Sequence, residues 1–136
     1  MNMKTSVLGV VIVFAGLAAI SVPMFAHHSF AAEYDSSKPI FITGKVTKIE
    51  WMNPHARFYV DATDEKGQVS NWEFELGSPN GLMRQGWSRN ALKIGDVVNV
   101  EAYAAKDGTT LGNARRVKLT DGRRLFAGSS TDGGPQ

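Results

Sequence analysis

The chain has 136 residues, with 15 Lys and Arg against 13 Asp and Glu, a formal charge of +2, and no cysteine. That length allows one compact domain, and the charge is too balanced for nucleic-acid binding driven by counterion release. The missing thiol excludes disulfides and lipid attachment through cysteine.

Residues Val7 to Val22 are almost wholly apolar, Lys4 precedes them and Pro23 ends the run. This is the pattern of a secretory signal peptide over residues 1–26, cleaved after Ala26. The run is short beside the roughly 20 apolar residues a membrane-spanning helix needs. Ser29-Phe30-Ala31 offers a competing cleavage site. Cleavage after Ala26 leaves 110 residues beginning His27-His28, with 14 basic residues against 13 acidic ones, and no membrane anchor. The expectation is a periplasmic protein. Residues 27–39 read as an irregular N-terminal arm, 40–127 as the folded domain, and 128–136 as a disordered Gly-rich tail.

From Ile40 the pattern is that of strands. Ile40, Ile42 and Val46 share one parity and Ile49 and Trp51 the other, so the spacing predicts a long first strand with a bulge. Asn53-Pro54 makes a turn. Ala56, Phe58, Val60 and Ala62 alternate with Arg57, Tyr59 and Asp61 in strand two. A turn at Asp64 to Gly67 leads to strand three, Val69 to Leu76. Ser78 can cap a short helix, with Pro79 at its first position and Gly86 at its end, and Ser88 to Leu92 suit one further turn. Strand four runs from Val97 to Tyr103, strand five from about Ala114 to Leu119, and strand six from Arg124 to Phe126. Three strands, a helix and two or three more strands describe an all-β domain, a five- to six-stranded OB-like barrel with a short helix between strands three and four. A two-sheet sandwich usually needs about seven strands.

Three segments, His27-His28-Ser29-Phe30-Ala31-Ala32-Glu33-Tyr34-Asp35, Trp51-Met52-Asn53-Pro54-His55-Ala56 and Trp72-Glu73-Phe74-Glu75-Leu76-Gly77-Ser78-Pro79-Asn80, are distinctive together. With them the chain resembles a family of small exported proteins of Gram-negative bacteria, known only as a domain of unknown function. The resemblance covers essentially the whole chain after the signal peptide. It implies export and a compact β domain, and it brings no activity.

Candidate site residues fall into three groups. His27, His28 and His55, with the free amine that cleavage after Ala26 would create, form a nitrogen donor set suited to copper, the one cofactor the chain suggests. Glu33, Tyr34, Asp35 and Met52 are further possible ligands. The bland alternative is a flexible arm and a strand-start histidine bonded to backbone. The second group is the polar face of strands two and three, with Arg57, Tyr59, Asp61, Asn71, Glu73 and Glu75. The third is aromatic. Phe58, Trp72 and Phe74 fall on the core phase, whereas Trp51 and Trp87, near connections, suit an exposed ligand platform. Arg84, Arg89 and Lys93 read as a surface cluster, whereas Arg115-Arg116 and Arg123-Arg124 read as split across strand faces and a turn.

No phosphate loop, serine elbow or established metal motif is present, so no catalytic residue is assigned. The first reading is a periplasmic binding or interaction module. Trp51, Asn53, His55, Arg57, Tyr59, Glu73 and Trp87 would line a site at the barrel mouth for a small ligand or a partner protein rather than nucleic acid. The alternative is a periplasmic copper protein using His27, His28 and His55.

Overall fold

The structure, a computed structural model, describes residues 30–127. Residues 1–29, which hold the expected signal peptide with His27 and His28, and residues 128–136, the expected tail, lie outside the described residues. A single turn of helix, α1 (Phe30–Glu33), runs directly into β1 (Tyr34–Glu50). There follow β2 (Arg57–Thr63), β3 (Val69–Glu75), α2 (Pro79–Arg84), β4 (Val97–Ala105), β5 (Leu111–Leu119) and β6 (Arg124–Phe126). The strands pair in the order β3-β2-β1-β4-β5-β6, and a parallel pairing of β3 with β5 joins the ends of the first five into a ring. The domain is thus all-β and OB-like, with its helix between strands three and four as the sequence pattern expects.

The long first strand serves two neighbours because it is bulged. Lys45 and Val46 oppose Asp61 and Val60, but Lys48 opposes Tyr59, so Thr47 is the extra residue. That insertion swaps the parity of everything after it. It explains why Val46 is buried while Ile49 and Trp51, of opposite parity, also pack against the core. Gly44 sits where β1 crosses β2 most closely, and a methyl group there would overlap the Asp61 carbonyl oxygen.

β1 begins earlier than the polar run Asp35 to Lys38 suggests. Tyr34 and Asp35 pair with Ala105 and Ala104 of β4, residues 36–38 are looped out, and pairing resumes at Pro39 with Tyr103. The Asp35 carboxylate accepts hydrogen bonds from the Ser37 amide and hydroxyl, which satisfies the looped-out segment locally. The arm boundary therefore lies near residue 33 rather than 39, because Tyr34 is only 2 % exposed and belongs to the folded domain.

The core lies inside the ring. Val46, Phe58, Val60, Phe74, Leu82, Val98, Val100 and Val117 are fully buried. Phe58 and Phe74 face each other across β2 and β3 with ring centroids 5.3 Å apart. Each such side chain contributes about 1.5–3 kcal/mol on burial. β5 can approach β3 because it presents Gly112 to the Phe74 ring, where any side chain would crowd it. α2 closes one end as expected: Ser78 Oγ accepts from the Gly81 amide, Pro79 occupies the first turn and Leu82 points inward. Ser88 to Leu92 form turns rather than another helical turn. No helix among the described residues is long and apolar enough to cross a membrane.

Candidate functional site

The outer face of β1, β2 and β3 carries neighbouring clusters of bonded polar side chains, and strand register places them side by side. Arg57 opposes Glu75 and Tyr59 opposes Glu73 across β2 and β3, while Glu50 and Lys48 of β1 oppose Arg57 and Tyr59. All project outward because Phe58, Phe74 and Ile49, on the other parity, face the core. Beyond the end of β2 the backbone pairing continues: the Ala56 amide donates to the Gly77 carbonyl and the Leu76 amide to the Ala56 carbonyl. His55 consequently takes the next outward position after Arg57.

Glu75 is the hub. Its Oε1 lies 3.0 Å from His55 Nδ1, and its Oε2 accepts from the Tyr34 hydroxyl at 3.2 Å. The Arg57 guanidinium reaches Glu73 Oε1 at 2.9 Å and Glu75 Oε2 at 3.8 Å. Burial opposes the charge on Arg57, but Glu73 and Glu75 outweigh it and hold the guanidinium above its ordinary range. Burial, reinforced by the negative charges of Glu75 and Glu33, pushes the Tyr34 hydroxyl far above the usual phenol value. A neutral phenol donating to a carboxylate is the consequence. On the far side, Tyr59 donates to Glu50 Oε2 at 3.1 Å, and Lys48 lies over the Tyr59 ring, 4.9 Å from its centroid. The Lys48 hydrogen bond holds the Glu50 carboxyl below its ordinary range. Asn71 donates to Asp61 and to Thr47, extending the network along the strands.

His55 is the member with chemistry to spare. Its Nδ1 is turned to the Glu75 carboxylate while the side chain remains 40 % exposed. A histidine whose Nδ1 is held by a carboxylate is oriented for contact through its other ring nitrogen. Among the described residues no three His, Cys, Asp or Glu side chains converge as a metal site.

The sequence-derived residues thus separate. His55, Arg57, Tyr59 and Glu73 lie on one face, with His55, Arg57 and Glu73 joined through Glu75 and Arg57, and Tyr59 bonded beside them to Glu50; Asn53 is exposed in the β1–β2 connection, preceding a cis peptide to Pro54. Trp51 is half-buried and packs against the core. Trp87, read from sequence as an exposed platform, is 5 % exposed, and its indole N–H donates to the Phe126 carbonyl at 2.7 Å. It ties the segment after α2 to β6 rather than projecting as an exposed platform. His27 and His28 lie outside the described residues. Of the further possible ligands, the Asp35 carboxylate accepts from Ser37, the Glu33 backbone carbonyl accepts from the Lys106 amide, and Met52 is exposed.

Glu50 was not among the sequence candidates, though the bulge that reverses parity at Thr47 is the signal that turns it outward beside Arg57. Tyr34, the first residue of β1, joins the site where α1 ends. The Phe30 ring stacks on Tyr34 with centroids 5.6 Å apart and meets Tyr103 edge-on at 5.8 Å. The beginning of the described chain is thereby pinned beside the Glu75 hub.

No curated protein and no solved structure matches this chain. A family model does: it matches residues 14–114, and the chain therefore belongs to DUF6152, a family of unknown function.

Proposed function

We propose that the protein is a periplasmic binding module, exported through a cleaved signal peptide, whose ligand seats on the outer face of β2 and β3. The observation that carries this reading is the preorganised network around Glu75. His55, Arg57, Tyr59 and Glu73 are held by partners before any ligand arrives, which lowers the ordering cost of binding. Mixed donors and acceptors of both charges suit a small polar ligand or a polar segment of a partner protein. No catalytic step is assigned, since no nucleophile adjoins His55 in the network.

Cleavage after Ala26 is supported by Phe30: its ring packs on Tyr34 and Tyr103, and the competing cut after Ala31 would remove it. Mass determination of the secreted chain tests this, with residue 27 expected as its first and residue 32 as the outcome that defeats it. The binding reading is tested by thermal-shift screening of the secreted protein against polar metabolites and peptides. A ligand that raises Tm in the parent and loses that effect in both Arg57→Gln and Glu73→Gln supports the site. Ligands whose shifts survive both substitutions place binding elsewhere.

A second reading, copper binding by His27, His28 and His55, is favoured by the Nδ1 contact to Glu75, the outer-shell arrangement typical of histidine ligands. Phe30, two residues after His28, is anchored beside that same carboxylate through Tyr34. Calorimetric titration with Cu(II) decides it. Submicromolar binding lost in His55→Ala is expected; micromolar or weaker affinity, or affinity indifferent to His55, removes the three-histidine site.

A further inference from the structure

The other side of the ring has the opposite character. On β1, β4, β5 and β6 the strand register lays out cross-strand rows that alternate with the buried Val98, Val100, Val117 and Leu119. One row runs Phe41, Glu101, Arg116 and Phe126; the next runs Thr43, Asn99, Lys118 and Arg124; a third begins with Lys45 and Val97. The Asn99 side chain donates to Thr43 Oγ1, and Arg116 pairs with Glu101, which confirms that these rows share the outer face. The turn at Lys93 to Asp96 folds against the end of the third row, since the Gly95 amide donates to the Val46 carbonyl and the Val46 amide to the Asp96 carbonyl.

Two properties coincide there. Lys45, Lys93, Lys118 and Arg124 are exposed and their side-chain cations form no ion pair among the described residues, although the Asp96 carboxylate accepts from the Lys93 amide and Asp61 lies opposite Lys45 across β1 and β2. Interspersed with them, Phe41 is 65 % exposed, Ile94 72 % and Val97 42 %. The β1–β3 face, by contrast, carries Glu50, Glu73 and Glu75 against Lys48 and Arg57, with Asp61 at the seam between the two faces opposite Lys45. The formal charge of the whole chain is only +2, so this separation of charge is a matter of placement rather than composition. A cationic surface from which large apolar side chains project matches a bilayer of anionic lipid, where cations meet headgroup phosphates and apolar side chains enter the acyl boundary. A nucleic acid would use the cations but would leave Ile94 and Val97 without a role, because its readout from such a face is by aromatic stacking.

We propose that the face formed by β1, β4, β5 and β6 with the Lys93–Asp96 turn docks on an anionic phospholipid surface, leaving the β2–β3 face turned away from the lipid. The proposal is independent of the binding and copper readings, since it uses none of their residues.

The test is vesicle flotation of the full chain on phosphatidylcholine alone and on phosphatidylcholine mixed with phosphatidylglycerol. The apolar segment 7–22, with Lys4 ahead of it, contributes to the parent and to every variant alike, so the change that substitutions on the face make in the difference between compositions reads the proposed surface. On the order of tenfold stronger partitioning onto the anionic vesicles is expected at low salt, falling away as salt screens the cations. The Lys118→Glu/Arg124→Glu variant should lose that difference, and Lys45→Glu, in a separate row, should reduce it without the first pair. Ile94→Ser should weaken anionic-vesicle binding several-fold. Far-UV circular dichroism of each variant establishes that it folds, and the three exposed sites give independent readings should one fail to do so. Equal partitioning onto both compositions, or variants indistinguishable from the parent, overturns the proposal. Displacement from the vesicles by duplex or single-stranded DNA at lower concentration than by lipid would also overturn it and make the surface a nucleic-acid site.

Discussion

Tyr34 and Glu75 stand 41 residues apart and meet through a 3.2 Å hydrogen bond from the phenol to the carboxylate, which joins the start of the domain to the strand that closes its ring. The Tyr34 side chain is almost fully covered, and the same carboxylate holds His55 through its other oxygen. One acidic residue therefore couples the N-terminal segment to the candidate site.

Removing that acceptor should be costly. Glu75→Ala leaves the buried Tyr34 hydroxyl without a partner, a penalty of about 1–3 kcal/mol. Urea denaturation should show the loss. Tyr34→Phe in the Glu75→Ala background should recover part of it, since the orphaned donor is then gone. Additive losses in the double variant would mean that the two side chains do not depend on one another.

The same bond gives the protein an alkaline limit. The Tyr34 hydroxyl titrates above its unfolded value of 10.0, chiefly because burial disfavours the phenolate. The folded state thus holds this proton more tightly. Its contribution is complete below pH about 10 and is lost as pH rises through the folded value. Stability measured by denaturant between pH 8 and 12 should decline above pH about 10 in the parent and decline less in Tyr34→Phe. Parallel curves would assign the alkaline loss to other groups.

At acid pH the hairpin turns should matter instead. Asp107 accepts from the Thr109 hydroxyl and amide, and Asp121 accepts from the Arg123 amide and guanidinium. These bonds hold both carboxyls below their ordinary value of 3.8, with the Thr109 hydroxyl the leading cause at Asp107 and the Arg123 amide at Asp121. Stability from these groups is present above that value and is lost as pH falls through the lower folded values. Asp107→Asn and Asp121→Asn should therefore flatten the acid limb of a Tm-against-pH profile below pH about 4. An unchanged limb in both variants would show that the turns do not govern it.

Local periodicity made most of this architecture readable. Each strand buries one side, so Phe58 and Val60, or Val98 and Val100, announce their strands by alternation alone. The Ser78-Pro79 start of α2 announces itself through capping chemistry. The sequence could not announce contacts between segments remote in the chain. Trp87 looks like an exposed connection residue until the Phe126 carbonyl, 39 residues later, supplies its partner. Likewise the polar run after Tyr34 looks irregular until β4 supplies Ala105 and Ala104. Arg57, Glu73 and Tyr59 were legible as one face because β2 and β3 are joined by a short turn. Their connection to Tyr34 was not, because ring closure alone brings α1 to Glu75.

Gly44 offers the sharpest test of the ring itself. β1 contacts both β2 and β4, and at Gly44 the approach to β2 leaves no room for a side chain: an added Cβ would lie 2.6 Å from Val60 Cγ1 as well as overlapping the Asp61 carbonyl. The obstruction by Asp61 is backbone, so a rotamer change cannot relieve it, and β1 must move away from β2. Gly44→Ala should cost about 1–3 kcal/mol, the usual range for overpacking. Gly67, in the β2–β3 turn, is the contrasting control. Its Cβ would meet nothing within 4 Å, but its φ of +79° disfavours a side chain, so Gly67→Ala acts through backbone strain alone. Gly67→Asn should recover much of the Gly67→Ala loss, because asparagine tolerates the left-handed region, whereas Gly44→Asn should be worse than Gly44→Ala. Thermal unfolding of the four variants separates the two causes. Recovery by asparagine at Gly44 would show that conformation, rather than the closeness of β1 to β2, demands glycine there.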